Sequence, residues 1–171
     1  DLRPGSVEQN AVSRIPRVLL EQLQAYWDGK RAGRDIPARA DIDPVDIPRL
    51  LPYLVMVDVE YGADGALADF RYRLWGQHII DHNRRSLAGR RLSELLRLNP
   101  HQQRFIALYS RVVKERRPIF DAVTYISISG VPNTVDMAIF PLAAAGGRVE
   151  SLMAGAVYRA SPISFEPDPV P

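Results

Sequence analysis

Cysteine is absent from this 171-residue chain, which excludes disulfides, thiolate nucleophiles and Cys-based zinc sites. Histidine is scarce, at 3 residues, and of the 22 basic residues only Lys30 and Lys114 are lysine. No apolar run approaches the length of about 18 residues that a membrane helix needs. The opening DLRPGSVEQN has neither the basic nor the apolar region of a signal peptide. The expectation is a cytoplasmic protein with no membrane partner. The chain starts on Asp1 and not on Met, as a piece of a longer protein would. No charge of one sign dominates: the net charge is +2, although the arginine bias raises the pI to about 9.1. The pairs Arg84-Arg85, Arg90-Arg91 and Arg116-Arg117 are dispersed among acids. They read as solvated surface, which disfavours nucleic acid as a partner.

What is present is ordinary globular composition, 46% apolar and 25% charged, enough for one domain with a real core. Ser6-Val7-Glu8-Gln9 fits a capping box. Pro16 then interrupts or restarts the helix. From Arg17 to Lys30, Leu19, Leu20, Leu23, Tyr26 and Trp27 recur at helical spacing, and Gly29 and Gly33 stop the helix. Asp43-Pro44-Val45-Asp46 has the N-cap and first-turn chemistry of a second, short helix. Asp41, Asp43 and Asp46 lack the glycine and terminal glutamate of a calcium loop, so capping is preferred over metal binding.

Residues 53–60 are β-rich. Gly62-Ala63-Asp64-Gly65 reads as a hairpin turn, and 69–75 as the partner strand. In that strand Phe70, Tyr72 and Leu74 form an apolar face; Arg71, Arg73 and finally Trp75 form the other. A short helix over 76–83 follows, then a tight turn at Ala88-Gly89-Arg90. Either Ser93 or Asn99 with Pro100 starts the next helical piece. Residues 100–116 make the longest helix of the domain, with Phe105, Leu108, Tyr109, Val112 and Val113 as its stripe. Three β segments follow, over 118–129, 134–142 and 150–160, with turns at 130–133 and 145–148. The tail from Ser161 is proline-rich. The divisions are 1–40 as helical cap and loop, 41–160 as the main domain, and 161–171 as tail.

Read together, "DIDPVDIPRLLPYLVMVDV", "FRYRLWGQHII" and "LAGRRLSEL" resemble a PAS domain over residues 54–158, in particular a divergent bacterial subfamily in which that domain stands nearly alone. The resemblance implies an α+β fold. Its sheet has five antiparallel strands in the order 2-1-5-4-3, with helices on one face and an N-terminal amphipathic helix. It also implies a sensory or regulatory module that binds a small ligand and signals through protein–protein contact. No output segment is visible, so a separate effector protein, a region trimmed from this sequence or a homodimer through the N-terminal helix would carry the signal. That helix could equally cap its own sheet. Relatives of this kind bind haem, flavin, metabolites or nothing, and the ligand is not readable from the residues. A cysteinyl–flavin adduct is excluded for want of cysteine. Haem is disfavoured, because His101, His78 and His82 are ordinary surface or capping candidates.

A pocket between the sheet and the small helices would draw on Tyr72, Leu74, Trp75, His78 and Ile79. From the second half it would draw on Tyr109, Tyr125, Met137, Ile139, Met153 and Tyr158. The alternative is that these residues are plain core. A small aromatic or carboxylate ligand is expected, with Arg73 or His78 as its polar anchor. Arg73 could instead face solvent and pair with Asp58 or Glu60. The ligand-binding set is thus Tyr72, Arg73, Trp75, His78, Tyr109, Tyr125 and Met137. His78 and Asp81 are close enough on a helix to interact, but no serine or cysteine motif completes a triad. Two other readings stay open: a ligand-free interaction module of the same fold, and a small acid/base enzyme.

Overall fold

The computed structural model describes residues 14–159. Strands β1 (Leu54–Tyr61), β2 (Leu67–Trp75), β3 (Ile119–Ile126), β4 (Pro132–Ala143) and β5 (Val149–Tyr158) form one antiparallel sheet. Its order is β2-β1-β5-β4-β3, as the resemblance implied. The hairpin between β1 and β2 closes at Gly65, whose φ of +78° favours a residue without Cβ.

Paired residues share a face of the sheet. Val55 and Val57 of β1, Met137 and Ile139 of β4, and Ala154 and Ala156 of β5 occupy the inner face. Met56, Ala138, Phe140, Met153 and Gly155 occupy the outer one. Between β2 and β3 the chain forms α2 (Gln77–Asn83), α3 (Leu92–Leu98) and α4 (Gln103–Glu115), which cover the inner face. Two of the three starts carry a local signal. Gly76 is the N-cap of α2, and Asn99 caps the 3₁₀ turn Pro100–Gln102 that runs into α4. Ser93 caps nothing; its backbone and hydroxyl both bond Asp69.

The N-terminal helix, α1 (Arg14–Lys30), lies on the other side of the sheet. Its Leu20 and Leu23 press on Gly155, and its Trp27 ring sits 5.7 Å from Phe140. The Trp27 indole N–H donates to the Pro141 carbonyl at 2.9 Å. Leu20, Leu23 and Trp27 are all buried. Burial of such side chains stabilises by about 1.5–3 kcal/mol each. Both arrangements that the sequence left open relied on this stripe, and here it caps its own sheet. The helices therefore flank both faces: α2–α4 inside, α1 outside. Pro16 falls in the first turn of α1, where its missing N–H has no intrahelical partner to lose.

The expected 43–46 helix is a single 3₁₀ turn, Pro44–Asp46, with the Asp43 carboxylate accepting from the Val45 N–H. Pro48 and Pro52 prevent its extension. The capping box at 6–9 and the tail from Ser161 lie outside the described residues.

Candidate functional site

The register of β1 on β2 builds the site. Met56 pairs with Leu74, but Val57 pairs with Tyr72, so Arg73 is an extra residue in a β-bulge. The bulge inverts the alternation of side chains. Tyr72 and Trp75, three residues apart, thereby reach the same inner face, opposite Val57 and Val55. Leu74, by the same shift, leaves that face. Arg73 stays exposed and pairs with Asp58 on the neighbouring strand.

Tyr72, Trp75, Tyr109, Tyr125 and Met137 converge on one cavity, joined by Ile79 and Tyr158. The cavity has about 20 Å³ of free volume, within about 440 Å³ of space between atoms that runs out into solvent. Arg73 and His78, the expected anchors, do not line it. Neither do Met153, which faces outward opposite Met56, nor Ile139, which pairs with Ile119 further along the sheet.

A closed ring of hydrogen bonds forms one wall. The Tyr125 hydroxyl donates to Asn83 Oδ1 at 2.7 Å, and Asn83 Nδ2 donates to the Tyr158 hydroxyl at 2.9 Å. The two phenol oxygens lie 2.6 Å apart. Because the Tyr125 proton is committed to Asn83, Tyr158 is the donor of that last bond. Asn83 Nδ2 also donates to the Ile79 carbonyl at 2.8 Å. Burial raises all four phenols: Tyr125 and Tyr109 strongly, Tyr72 well above its ordinary value, and Tyr158 in the same direction. They remain neutral at physiological pH.

His78 supports this wall from behind. Its Nε2 accepts from the Tyr158 backbone N–H at 3.1 Å, so that nitrogen carries no proton. Burial, then the neighbouring His82, lower its pKa to about 4. The His82 ring stacks on Tyr158 at 4.8 Å, and its Nδ1 donates to the His78 carbonyl. Asp81 accepts from Gln77 Nε2 at 2.7 Å and makes no bond to His78.

Two fully buried polar atoms belong to lining residues and lack a partner. The Trp75 indole N–H and the Gln102 Oε1 are both buried without a hydrogen-bond partner. Leaving such groups unpaired typically costs about 1–3 kcal/mol each. Asn83, Arg85, Leu87, Gln102, Phe105 and Ile128 also line the cavity and are not among the pocket residues expected from sequence. An Asn in the last turn of a short helix looks like an end signal, and Gln102 follows no periodic pattern. Only Phe105 stood out, as part of a core stripe.

A family model described as a PAS domain matches residues 17–157. The chain belongs to the PAS domain family. The PAS assignment rests on this match and on the strand order. Similar solved structures include the dark state of the blue-light photoreceptor Aureochrome1 LOV, at 12% identity and a TM-score of 0.48, covering 70% of this chain and 85% of that one. The Cys71Ser mutant of Vivid is 11% identical with a TM-score of 0.43, covering 61% of this chain and 79% of that one. These likenesses add no weight to the assignment. No curated protein matches the chain.

The chain has no cysteine, which excludes a cysteinyl–flavin adduct in this PAS domain. Nor does it fit haem through α4, which contains no histidine. Among the described residues no group of three or more His, Cys, Asp or Glu is placed to hold a metal. No described helix is long and apolar enough to cross a membrane.

Proposed function

We propose that this PAS domain is a non-enzymatic sensory module, which takes a small ligand in the inner cavity and signals through α1. The observation that carries this reading is a shared wall. Ala156 and Met137 face the cavity, while Gly155 and Ala138, their chain neighbours, face outward. Gly155 lies under Leu20 and Leu23 of α1. A ligand that favours one position of β4 and β5 therefore favours one seating of α1. Output then passes from α1 to an effector, which can be a separate protein, a second copy or another region of the same protein.

The cavity lining supports the non-enzymatic reading: it contains no carboxylate and no histidine, and its phenols stay protonated. Such a wall offers no group poised for proton transfer near neutral pH.

The small free volume favours a second reading, a ligand-free interaction module with a filled core. Native mass spectrometry of the purified protein, set against its denatured mass, separates the two. A retained small mass, together with changed amide-exchange protection across 17–30 on its removal, supports sensing. A bare mass with no response of α1 to any small-molecule panel would reject sensing in favour of the interaction module.

A further inference from the structure

We propose that the cavity is built for a small hydroxylated aromatic acid, with the hydroxyl inward and the carboxylate at Arg85. This rests on the sensory reading above and names the ligand class.

The argument starts from what the walls leave unanswered. The Tyr125–Asn83–Tyr158 ring spends all its protons on itself and the Ile79 carbonyl. Among the fully buried polar atoms of the lining residues, the Trp75 indole N–H and Gln102 Oε1 have no partner. Gln102 is only 2% exposed, so bulk water does not serve its side chain. A hydroxyl both accepts and donates, and so suits either group. A pure acceptor or a hydrocarbon leaves at least one of them unpaired.

Charge decides the other end. Arg85 is the one ionisable lining residue apart from the neutral phenols, and it is exposed at the mouth. Nearby Arg90 and Arg91 are spent on Glu94 and Glu60. Arg85 makes no ion pair among the described residues. A guanidinium at the rim suits a carboxylate, which it can hold through two parallel N–H bonds. An amine would meet no counter-charge, since the lining contains no Asp or Glu.

Between the two ends the walls are flat and apolar. Tyr109 and Phe105 present rings from α4, and Met137 presents a thioether from β4. These surfaces suit an aromatic ring. The free space must widen to admit it. The unbranched Met137 side chain and the exposed Arg84–Ser86 segment are the parts that can yield.

The test uses the two tryptophans as reporters. Each gives one indole N–H resonance, and Trp75→Phe assigns them. The probes are 4-hydroxybenzoate, benzoate and phenol, each titrated to millimolar concentration. The expected result is a saturable shift of the Trp75 resonance with 4-hydroxybenzoate, and binding of benzoate about tenfold weaker. Arg85→Ala should weaken both acids about tenfold and leave phenol unchanged. Gln102→Leu should erase the advantage of 4-hydroxybenzoate over benzoate. A dispersed Trp27 resonance certifies that each variant is folded. If phenol shifts Trp75 while the acids do not, or if Arg85→Ala alters neither acid, the ligand class is wrong and the small-ligand reading survives. If no probe shifts Trp75 and the native mass is bare, both fall.

Discussion

Asn83→Ala should be among the most damaging polar substitutions in this protein, because one amide closes the whole hydrogen-bond ring. The change removes the bonds to Tyr125, Tyr158 and the Ile79 carbonyl, at 2.7, 2.9 and 2.8 Å. It leaves the Tyr125 hydroxyl with a proton and no acceptor in a buried site. Net hydrogen bonds contribute about 1 kcal/mol each, and a stranded buried donor costs about 1–3 kcal/mol. The expected loss is therefore about 4–6 kcal/mol, a large share of the ~5–15 kcal/mol that holds a domain together. Tyr125→Phe breaks two bonds of the ring and strands the Tyr158 proton instead, and should cost about 3–5 kcal/mol. The two penalties overlap, since removing Tyr125's hydroxyl also removes the group that Asn83→Ala strands. The double variant should be about 1–2 kcal/mol more stable than the sum of the singles. Urea unfolding at neutral pH measures all four proteins, with an unchanged m-value certifying comparable unfolding. A loss below about 1 kcal/mol for Asn83→Ala, or strict additivity, would refute the closed-ring assignment.

Gly76→Ala places a Cβ 2.3 Å from the carbonyl oxygens of Leu51 and Pro52, both backbone atoms that cannot swing aside. A loss of about 2–4 kcal/mol is expected by urea unfolding, and a near-neutral result would contradict the packing at that junction. At Gly155 the obstruction is the side-chain ends of Leu20 and Leu23, at 2.7 and 3.0 Å. Gly155→Leu should therefore lift α1 and leave the inner face folded. Hydrogen exchange should show protection lost over 17–30 and kept in β1 and β4; uniform loss would count against an independently docked helix. His78 has a folded pKa of about 4, below its ordinary 6.5, so the unfolded chain takes up a proton first as pH falls. Its contribution is full above pH 6.5 and is lost as pH falls towards 4. With partial solvent screening, about 1–2 kcal/mol should disappear across that window, and His78→Gln should flatten the profile of urea midpoints against pH. An unchanged slope in His78→Gln would assign the acid sensitivity to other groups.

Much of the fold was legible in the chain because the signals are local. Alternation marked β2, helical spacing marked α1 and α4, and Gly65, Gly89 and Gly147 take the positive φ that their turns require. The order of these elements carried the PAS resemblance, and with it the sheet order. The candidate pocket was legible in part, since large aromatic residues on strands and on a helical stripe converge wherever the sheet is covered. Tyr72, Trp75, Tyr109, Tyr125 and Met137 met on these grounds. Tertiary structure alone decided the rest. The bulge at Arg73 depends on the register between two strands, and it sends Trp75 inward and Leu74 outward. Gln102 and Asn83 matter through partners, or missing partners, brought from distant segments. Whether the stripe of α1 would cover its own sheet or another copy turned on Gly155, which leaves room for two leucines 132 and 135 positions away in the chain. Periodicity reports which residues seek burial, because burial tendency belongs to a single side chain. It cannot report which surface accepts them, because that belongs to the pair.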